Sequence, residues 1–301
     1  MLLPKLIVIL GPTATGKTKL AAKLARAFNG EIVSADSRQV YVGMDIGTGK
    51  DLKEYGRVPY HLIDVVNPKK RFTLSDYQKL AYRAIDDIIK RGKIPFLVGG
   101  TGLYISAIVD GYQLDDVKPD SALRKKLNQK SLAQLQALVK KYGLILNQSD
   151  LNNKRRLIRK IEIVKNLKNQ NLSRAQSRDP KYTCMMLGLT LPKAELDQKI
   201  DQRLKERLAK EGLINEVKKL KKQGLSWKKL EEFGLEYRFI AQYLQGKLTY
   251  EQMTAKLATT IHQFAKRQMT WFKRDKRIIW LENVDEAKKI IKGNLNLVPV
   301  A

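Results

Sequence analysis

Residues Gly11-Pro12-Thr13-Ala14-Thr15-Gly16-Lys17-Thr18 follow the spacing G-x-x-x-x-G-K-[ST], and the chemistry explains the spacing. Glycines let the backbone curl until successive N–H groups point inward at phosphate oxygens. A helix starting at the same point adds the positive end of its dipole. Lys17 contributes a point charge, and the Thr18 hydroxyl is the expected Mg2+ ligand. The motif specifies phosphate binding but not which phosphate compound. A second candidate group is Asp36, at the end of the apolar run Ile32-Val33-Ser34-Ala35. A nucleotide hydrolase would carry a metal-holding Asp in such a place. By position alone Asp36 can ligate metal, cap a helix or act as a base.

These groups need elements to position them. Residues 5–10, KLIVIL, form a β-rich apolar run, and 16–28 carry Leu20, Leu24 and Phe28 at helical spacing. Residues 31–35 read as a second strand, 75–91 as a helix capped by Ser75, and 94–98 as a third strand ending in Gly99-Gly100. Such βαβ alternation predicts a parallel sheet flanked by helices. Its carboxyl edge would hold the phosphate loop, Asp36 and Thr101 together, where ligands bind in open α/β sheets. Beyond residue 114 the chain reads as Lys- and Leu-rich helices at 121–141, 152–169, 194–211, 213–223, 234–245 and 249–273. The short apolar stretches 183–191 and 277–281 can return to the sheet as strands. The expectation is an α/β fold: a P-loop parallel sheet core, with a mainly helical basic insertion and C-terminal part. Boundaries are expected at 1–113, 114–192 and 193–301.

Charge separates these parts. Among 301 residues, 58 Lys and Arg oppose 30 Asp and Glu, for a net +28. Residues 1–113 hold 17 basic and 10 acidic residues, and 114–301 hold 41 and 20. A basic excess of that size attracts polyanions. The 43% hydrophobic and 29% charged composition is that of a globular protein. No apolar run reaches 18 residues, so no membrane helix is expected. The apolar start lacks a basic n-region and runs straight into the glycine motif, unlike a signal peptide. One cysteine and two histidines exclude an intrachain disulfide and a cysteine-rich zinc site. A soluble, cytoplasmic monomer is expected.

Five further blocks are more specific than the fold. They are Asp36-Ser37-Arg38-Gln39-Val40-Tyr41, Met44-Asp45-Ile46-Gly47-Thr48-Gly49-Lys50, Pro59-Tyr60-His61-Leu62-Ile63-Asp64, Gly99-Gly100-Thr101-Gly102-Leu103-Tyr104 and Lys266-Arg267-Gln268-Met269-Thr270-Trp271-Phe272. In this order, behind a phosphate loop and over nearly the whole chain, they resemble the tRNA dimethylallyltransferase (tRNA isopentenyltransferase) family. Gly49 stands where many members carry Ala, and Lys199 where Arg is common. The resemblance implies transfer of a dimethylallyl group from dimethylallyl diphosphate to the exocyclic amine of the adenosine just 3′ of the anticodon, in tRNAs reading codons that begin with U. The allylic C–O bond ionises readily once the leaving diphosphate is neutralised, and residues 11–18 with Mg2+ suit that task. The resemblance makes Arg203 a diphosphate contact, on a helix whose Leu196, Ile200, Leu204 and Leu208 mark a buried stripe. It supports Asp36 as general base. The Thr101 hydroxyl can meet a diphosphate oxygen or the target nucleotide, or cap a helix.

The resemblance also implies tRNA contacts. Ser37, Arg38 and Gln39 follow the base, and Gln is suited to a bidentate adenine contact. Arg124, Arg155, Arg156, Arg159, Gly234, Tyr237, Arg238, Lys266, Arg267, Gln268, Trp271 and Lys273 complete the expected set, alongside Asp36 and Thr101. The target base would have to be extruded from its stacked loop. A small-molecule kinase would share the phosphate loop, and an isopentenyltransferase of free adenine nucleotides would share the chemistry. Neither has a use for the basic half. In a non-catalytic RNA-binding protein, the loop and Asp36 would be vestigial.

Overall fold

The computed structural model describes residues 5–114, 119–166 and 179–295. They fall into two compact units, 1–109 with 180–301 and 110–179. The larger unit runs β1 (Lys5–Leu10), α1 (Lys17–Ala27), β2 (Gly30–Ser34), β3 (Tyr60–His61), α2 (Leu74–Lys90), β4 (Ile94–Gly99) and α3 (Gly102–Val109). The smaller unit carries α4 (Ser121–Asn128), α5 (Leu132–Lys141), α6 (Gln148–Leu151) and α7 (Lys154–Asn166). The chain then resumes the larger unit with β5 (Thr183–Leu189), α8 (Lys193–Ala209), α9 (Leu213–Lys222), α10 (Trp227–Phe233), α11 (Leu235–Leu244), α12 (Tyr250–Phe272), β6 (Ile278–Leu281) and α13 (Val284–Leu295).

The six strands form one sheet in the order β3-β2-β4-β1-β5-β6, and every pairing is parallel. Both faces are covered, which is why the strands are apolar runs without alternation. One face packs Leu6, Val8, Val33 and Leu97 against α2 and α3 through Tyr77, Ala81, Ile85 and Ile108. The other packs Ile7, Ile9, Ile32 and Phe96 against α1 through Leu20, Leu24 and Ala25. The boundaries expected at 113 and 192 therefore move. Strand β5 lies beside β1, with Ile7 opposite Met185, so the inserted unit closes before residue 180 and the C-terminal half rejoins the core.

Two local readings change. Helix α2 is capped by Thr73 in a capping box with Asp76, two residues before Ser75. The stretch 121–141 is two helices, because Ser131 and Gln134 form a second capping box and start α5 afresh. Of the helix expected at 152–169, residues 167–169 lie outside the described set. The small unit has its own core of Leu127, Leu135, Val139, Leu157, Ile158 and Ile161.

Glu31 anchors the amino end of β2. It is 2% exposed and is gripped by both Arg91 terminal nitrogens, by Lys93 Nζ at 2.8 Å and by His61 Nε2 at 2.8 Å. The Arg91 bonds foremost hold its carboxyl far below the usual range. A depressed carboxyl stabilises the fold above its unfolded value and loses that contribution as pH falls. Glu31→Gln is expected to cost about 2 kcal/mol at pH 7, and thermal melts should show the gap to wild type narrowing below the unfolded value of about 4.5.

Candidate active site

Strands β2, β4 and β1 are consecutive in the sheet, with Ser34 opposite Val98 and Gly99 opposite Leu10. Their carboxyl ends therefore deliver Asp36, Thr101 and the phosphate loop side by side. Gly99 makes this possible: a Cβ there would stand 2.2 Å from Ala35 O. The Thr101 N–H donates to Ala35 O at 3.2 Å, and its hydroxyl accepts the Ser37 N–H at 3.0 Å. Helix α3 starts from the Thr101 carbonyl, which accepts from Tyr104 N at 2.9 Å and Ile105 N at 3.1 Å. The Thr101 hydroxyl is thus engaged by the Ser37 N–H. Asp36 Oδ1 accepts from Arg38 N at 2.9 Å and Gln39 N at 3.4 Å. Those bonds set its orientation.

The phosphate loop turns through Ala14 (φ 65°) and Gly16 (φ 79°). Thr15 Oγ1 donates to Pro12 O at 2.9 Å, and Lys17 Nζ donates to the same carbonyl. Arg203 Nη2 donates to Thr13 Oγ1, beside the loop. Burial first, and the Arg203 charge second, push the Lys17 amine down to about 7, against a pull upward from Asp36. Burial, and then the Arg207 charge, bring Arg203 down to about 10. Tyr55 hydrogen-bonds Thr18, and its burial raises its phenol above the ordinary range. The cleft has a volume of about 440 Å³ and takes in Lys17, Thr18, Asp36, Arg38, Thr101 and Arg203. Arg267 and Trp271 of α12 also line it.

Several expected RNA contacts have other work. Tyr237 is 0% exposed and donates its hydroxyl to Glu216 Oε1 at 2.8 Å. It is a core residue, and the expectation of a tRNA contact there is corrected. Gln39 is buried; its carbonyl accepts from Ser34 Oγ at 3.0 Å and its amide donates to Gly49 O at 3.0 Å. Both ends are committed, so it braces the 48–49 turn and is not poised to read a base edge. Gln268 is likewise a staple: its Oε1 accepts the Thr13 N–H at 2.9 Å and its Nε2 donates to Gly100 O at 2.8 Å. Gly234 forms the turn between α10 and α11, and Arg38 pairs with Glu236 at 3.3 Å. Lys266, Lys273 and Arg238 are exposed. In the smaller unit, Arg124 and Arg159 both grip the fully buried Glu162, at 2.7 Å and 2.8 Å. Burial would raise that carboxyl, but the two guanidinium bonds outweigh it and hold it low. Arg155 and Arg156 are exposed, with Arg156 paired to Asp150 at 2.8 Å.

Two groups escaped the sequence reading. Glu216 accepts the N–H groups of Asp45, Ile46 and Gly47 at 2.8, 2.7 and 3.1 Å, and so clamps the loop that carries Thr48 and Gly49. Arg207 is 3% exposed in the cleft wall. Its signal was available: it lies one turn after Arg203, on the face otherwise marked by Leu196, Ile200 and Leu204. The structure buries Arg207 there and leaves Leu208 partly exposed.

The depressed Lys17 amine has a measurable consequence. Its charged form costs stability below pH 7, and the cost fades as pH rises toward 10.5. An anion reverses this by favouring the ammonium. Diphosphate binding at pH 8 should take up about one proton through Lys17, seen as a dependence of calorimetric enthalpy on buffer ionisation. Lys17→Arg, which does not titrate, should abolish that uptake; an unchanged value overturns the assignment. Gln268→Ala should weaken diphosphate binding about tenfold and leave RNA binding nearly intact, whereas a loss confined to RNA would restore it as a base reader.

A family model described as IPP transferase matches residues 39–275, and one described as isopentenyl transferase matches residues 4–56. The chain is 47% identical over 305 residues to tRNA dimethylallyltransferase 1 of Syntrophus aciditrophicus, covering 98% of this chain and 99% of that one. It is 47% identical over 284 residues to tRNA dimethylallyltransferase 1 of Hahella chejuensis, covering 93% and 92%. The crystal structure of the full-length tRNA isopentenylpyrophosphate transferase of Bacillus halodurans superposes with a TM-score of 0.73 at 36% identity, covering 97% of each chain. A eukaryotic dimethylallyltransferase, solved acting on tRNA, shares the fold at a TM-score of 0.78 and 24% identity. With its phosphate loop, its carboxylate on the same edge of the sheet and these full-length likenesses, the chain belongs to the IPP transferase family, whose matched relatives are named tRNA dimethylallyltransferase.

Proposed function

We propose that this enzyme transfers the dimethylallyl group of dimethylallyl diphosphate to N6 of the adenosine 3′-adjacent to the anticodon, in tRNAs reading codons that begin with U, giving N6-dimethylallyladenosine. The observation that carries this reading is one cleft holding a phosphate loop, a paired-cation wall and the Asp36 carboxylate. In the transfer, the allylic C1–O bond breaks and its electrons leave with the diphosphate. N6 bonds to C1, and its proton passes to Asp36. Lys17, Arg203 and the loop N–H groups meet the charge that develops on the departing oxygen. The adenine amine is a poor nucleophile because its lone pair is shared with the ring, so removing its proton as the bond forms lowers the barrier.

The donor set suits Mg2+. Among the described residues no group of three or more His, Cys, Asp or Glu side chains could hold a metal alone. Mg2+ keeps most of its waters and takes one or two protein ligands with substrate phosphates, and the Thr18 hydroxyl fits that role. When bound, the ion neutralises diphosphate charge.

The acceptor base must leave its stack to reach Asp36. Trp271, 41% exposed at the cleft mouth, offers a stacking surface, and Arg38 and Arg267 offer charge. Exposed Arg155, Arg156, Arg238, Lys266 and Lys273 hold phosphates, which suits the net charge of +28. On this reading the enzyme is a cytoplasmic monomer. Among the described residues no helix is long and apolar enough to cross a membrane.

The test uses radiolabelled dimethylallyl diphosphate with either total tRNA or AMP. Label should enter tRNA, and label in AMP alone would overturn the acceptor. Asp36→Asn should lower single-turnover transfer by about 10² to 10⁴ with tRNA affinity little changed. Near-normal transfer would remove Asp36 as the base.

A further inference from the structure

Arg207 is charged, buried and without a hydrogen bond among the described residues. Its Nε is shut off from solvent and has no partner. The nearest carboxylates, Asp51 Oδ1 and Glu211 Oε2, each stand 4.0 Å away, beyond hydrogen-bond reach. A guanidinium in that condition is costly to the free protein. Yet the surrounding chain makes room for it. Gly49 faces it with φ +63°, and a Cβ at that position would stand 2.4 Å from Arg207 Nη2. The 48–49 turn that provides this space is itself braced by Gln39 and by the Glu216 clamp on residues 45–47. The guanidinium is thereby kept in the wall of the cleft, one helical turn from Arg203.

The charges in that cleft oppose one another. Burial foremost, and then the Arg207 charge, lowers Arg203. Three cations gathered beside a phosphate loop, one with an unsatisfied donor, are relieved together by a ligand bearing several negative oxygens.

We propose that Arg207 is a second guanidinium of the donor site, binding oxygens of the diphosphate alongside Arg203, with Gly49 as the position that admits it. This rests on the reading of the cleft as a prenyl-diphosphate site. An RNA backbone phosphate shares the anionic chemistry, but the buried position beside the loop favours the donor. A planar fork suits paired phosphate oxygens. As the C1–O bond breaks, the guanidinium meets charge moving onto the leaving group.

The test is Arg207→Met, read in the full chain by three measurements: affinity for inorganic diphosphate, affinity for an anticodon stem-loop RNA, and melting temperature without ligand. Diphosphate should bind about 10- to 100-fold more weakly, RNA should bind as in wild type, and the free protein should melt no lower, because a buried charge held only by two loose ion pairs at 4.0 Å has gone. Unchanged diphosphate affinity overturns the inference, as does a loss confined to RNA. So does a lowered melting temperature with equal losses for both ligands, the signature of a structural arginine. If the wild-type protein binds no inorganic diphosphate, the cleft reading fails along with the inference, and that result is distinct from a wild type that binds and a variant that binds equally well. Gly49→Ala gives an independent measure should Arg207→Met misfold. Crowding Nη2, it should weaken diphosphate binding in the wild-type background, and in Arg207→Met it should add no further loss of affinity. Equal losses in both backgrounds would mean that Gly49 acts through backbone strain alone and would overturn its pairing with Arg207.

Discussion

Positive charges held close together in a cleft of low dielectric repel one another, and much of this structure serves to keep them there. Lys17 reaches its place because β1 ends at the loop that carries it. Arg203 and Arg207 reach theirs because α8 packs through Leu196, Ile200 and Leu204, with Arg207 on the same buried face and Arg203 one turn before it. Desolvation and mutual repulsion then depress the Lys17 and Arg203 values. Such a cluster is poised for an anion, because a diphosphate replaces repulsion with attraction at every one of these groups. It also explains how a phosphate loop serves a leaving group that carries no nucleoside. What the loop recognises is charge and oxygen geometry.

The polar residues around the cleft act as clamps more than as readers. Gln268 ties the loop to the end of β4. Gln39 ties β2 to the 48–49 turn, and Glu216 ties three consecutive N–H groups to α9 and Tyr237. Each satisfies buried donors and acceptors that would otherwise be left unpaired. Gln268 and Glu216 also span elements far apart in the chain, so the cleft is shaped in part by the packing of the C-terminal helices onto the sheet. Groups free to meet RNA lie instead at the mouth and on exposed faces, where a long basic side chain keeps its reach and its hydration.

The smaller unit shows the same division. Arg124 and Arg159 sit in a stretch so basic that electrostatics alone suggests nucleic acid, but a single fully buried carboxylate, Glu162, claims both. Arg155, next in the chain to the paired Arg156, remains exposed. Adjacent arginines thus divide between holding the unit together and presenting charge. Net charge measures the field of the surface and not the job of each residue.

Much of the core was legible in sequence because its signals are local. The phosphate loop has a fixed spacing set by backbone geometry. The strands ending at Leu10, Ser34 and Gly99 are apolar runs, and βαβ connectivity puts their carboxyl ends on one edge, so Asp36 and Thr101 were placed beside the loop before any coordinates. The family blocks, spread over nearly the whole chain, carried the reaction class. Partnership, by contrast, belonged to the tertiary structure. Whether Gln268 or Tyr237 faces RNA or the core depends on what folding brings against α12 and α11, across separations as long as the 255 residues between Thr13 and Gln268. The sequence placed Leu208 on the buried stripe of α8, and packing placed Arg207 there instead, opposite a glycine 158 positions earlier in the chain. A residue's type and spacing determine which chemistry it can do. The contacts it makes on folding decide whether that chemistry is spent on the fold or left available to a ligand.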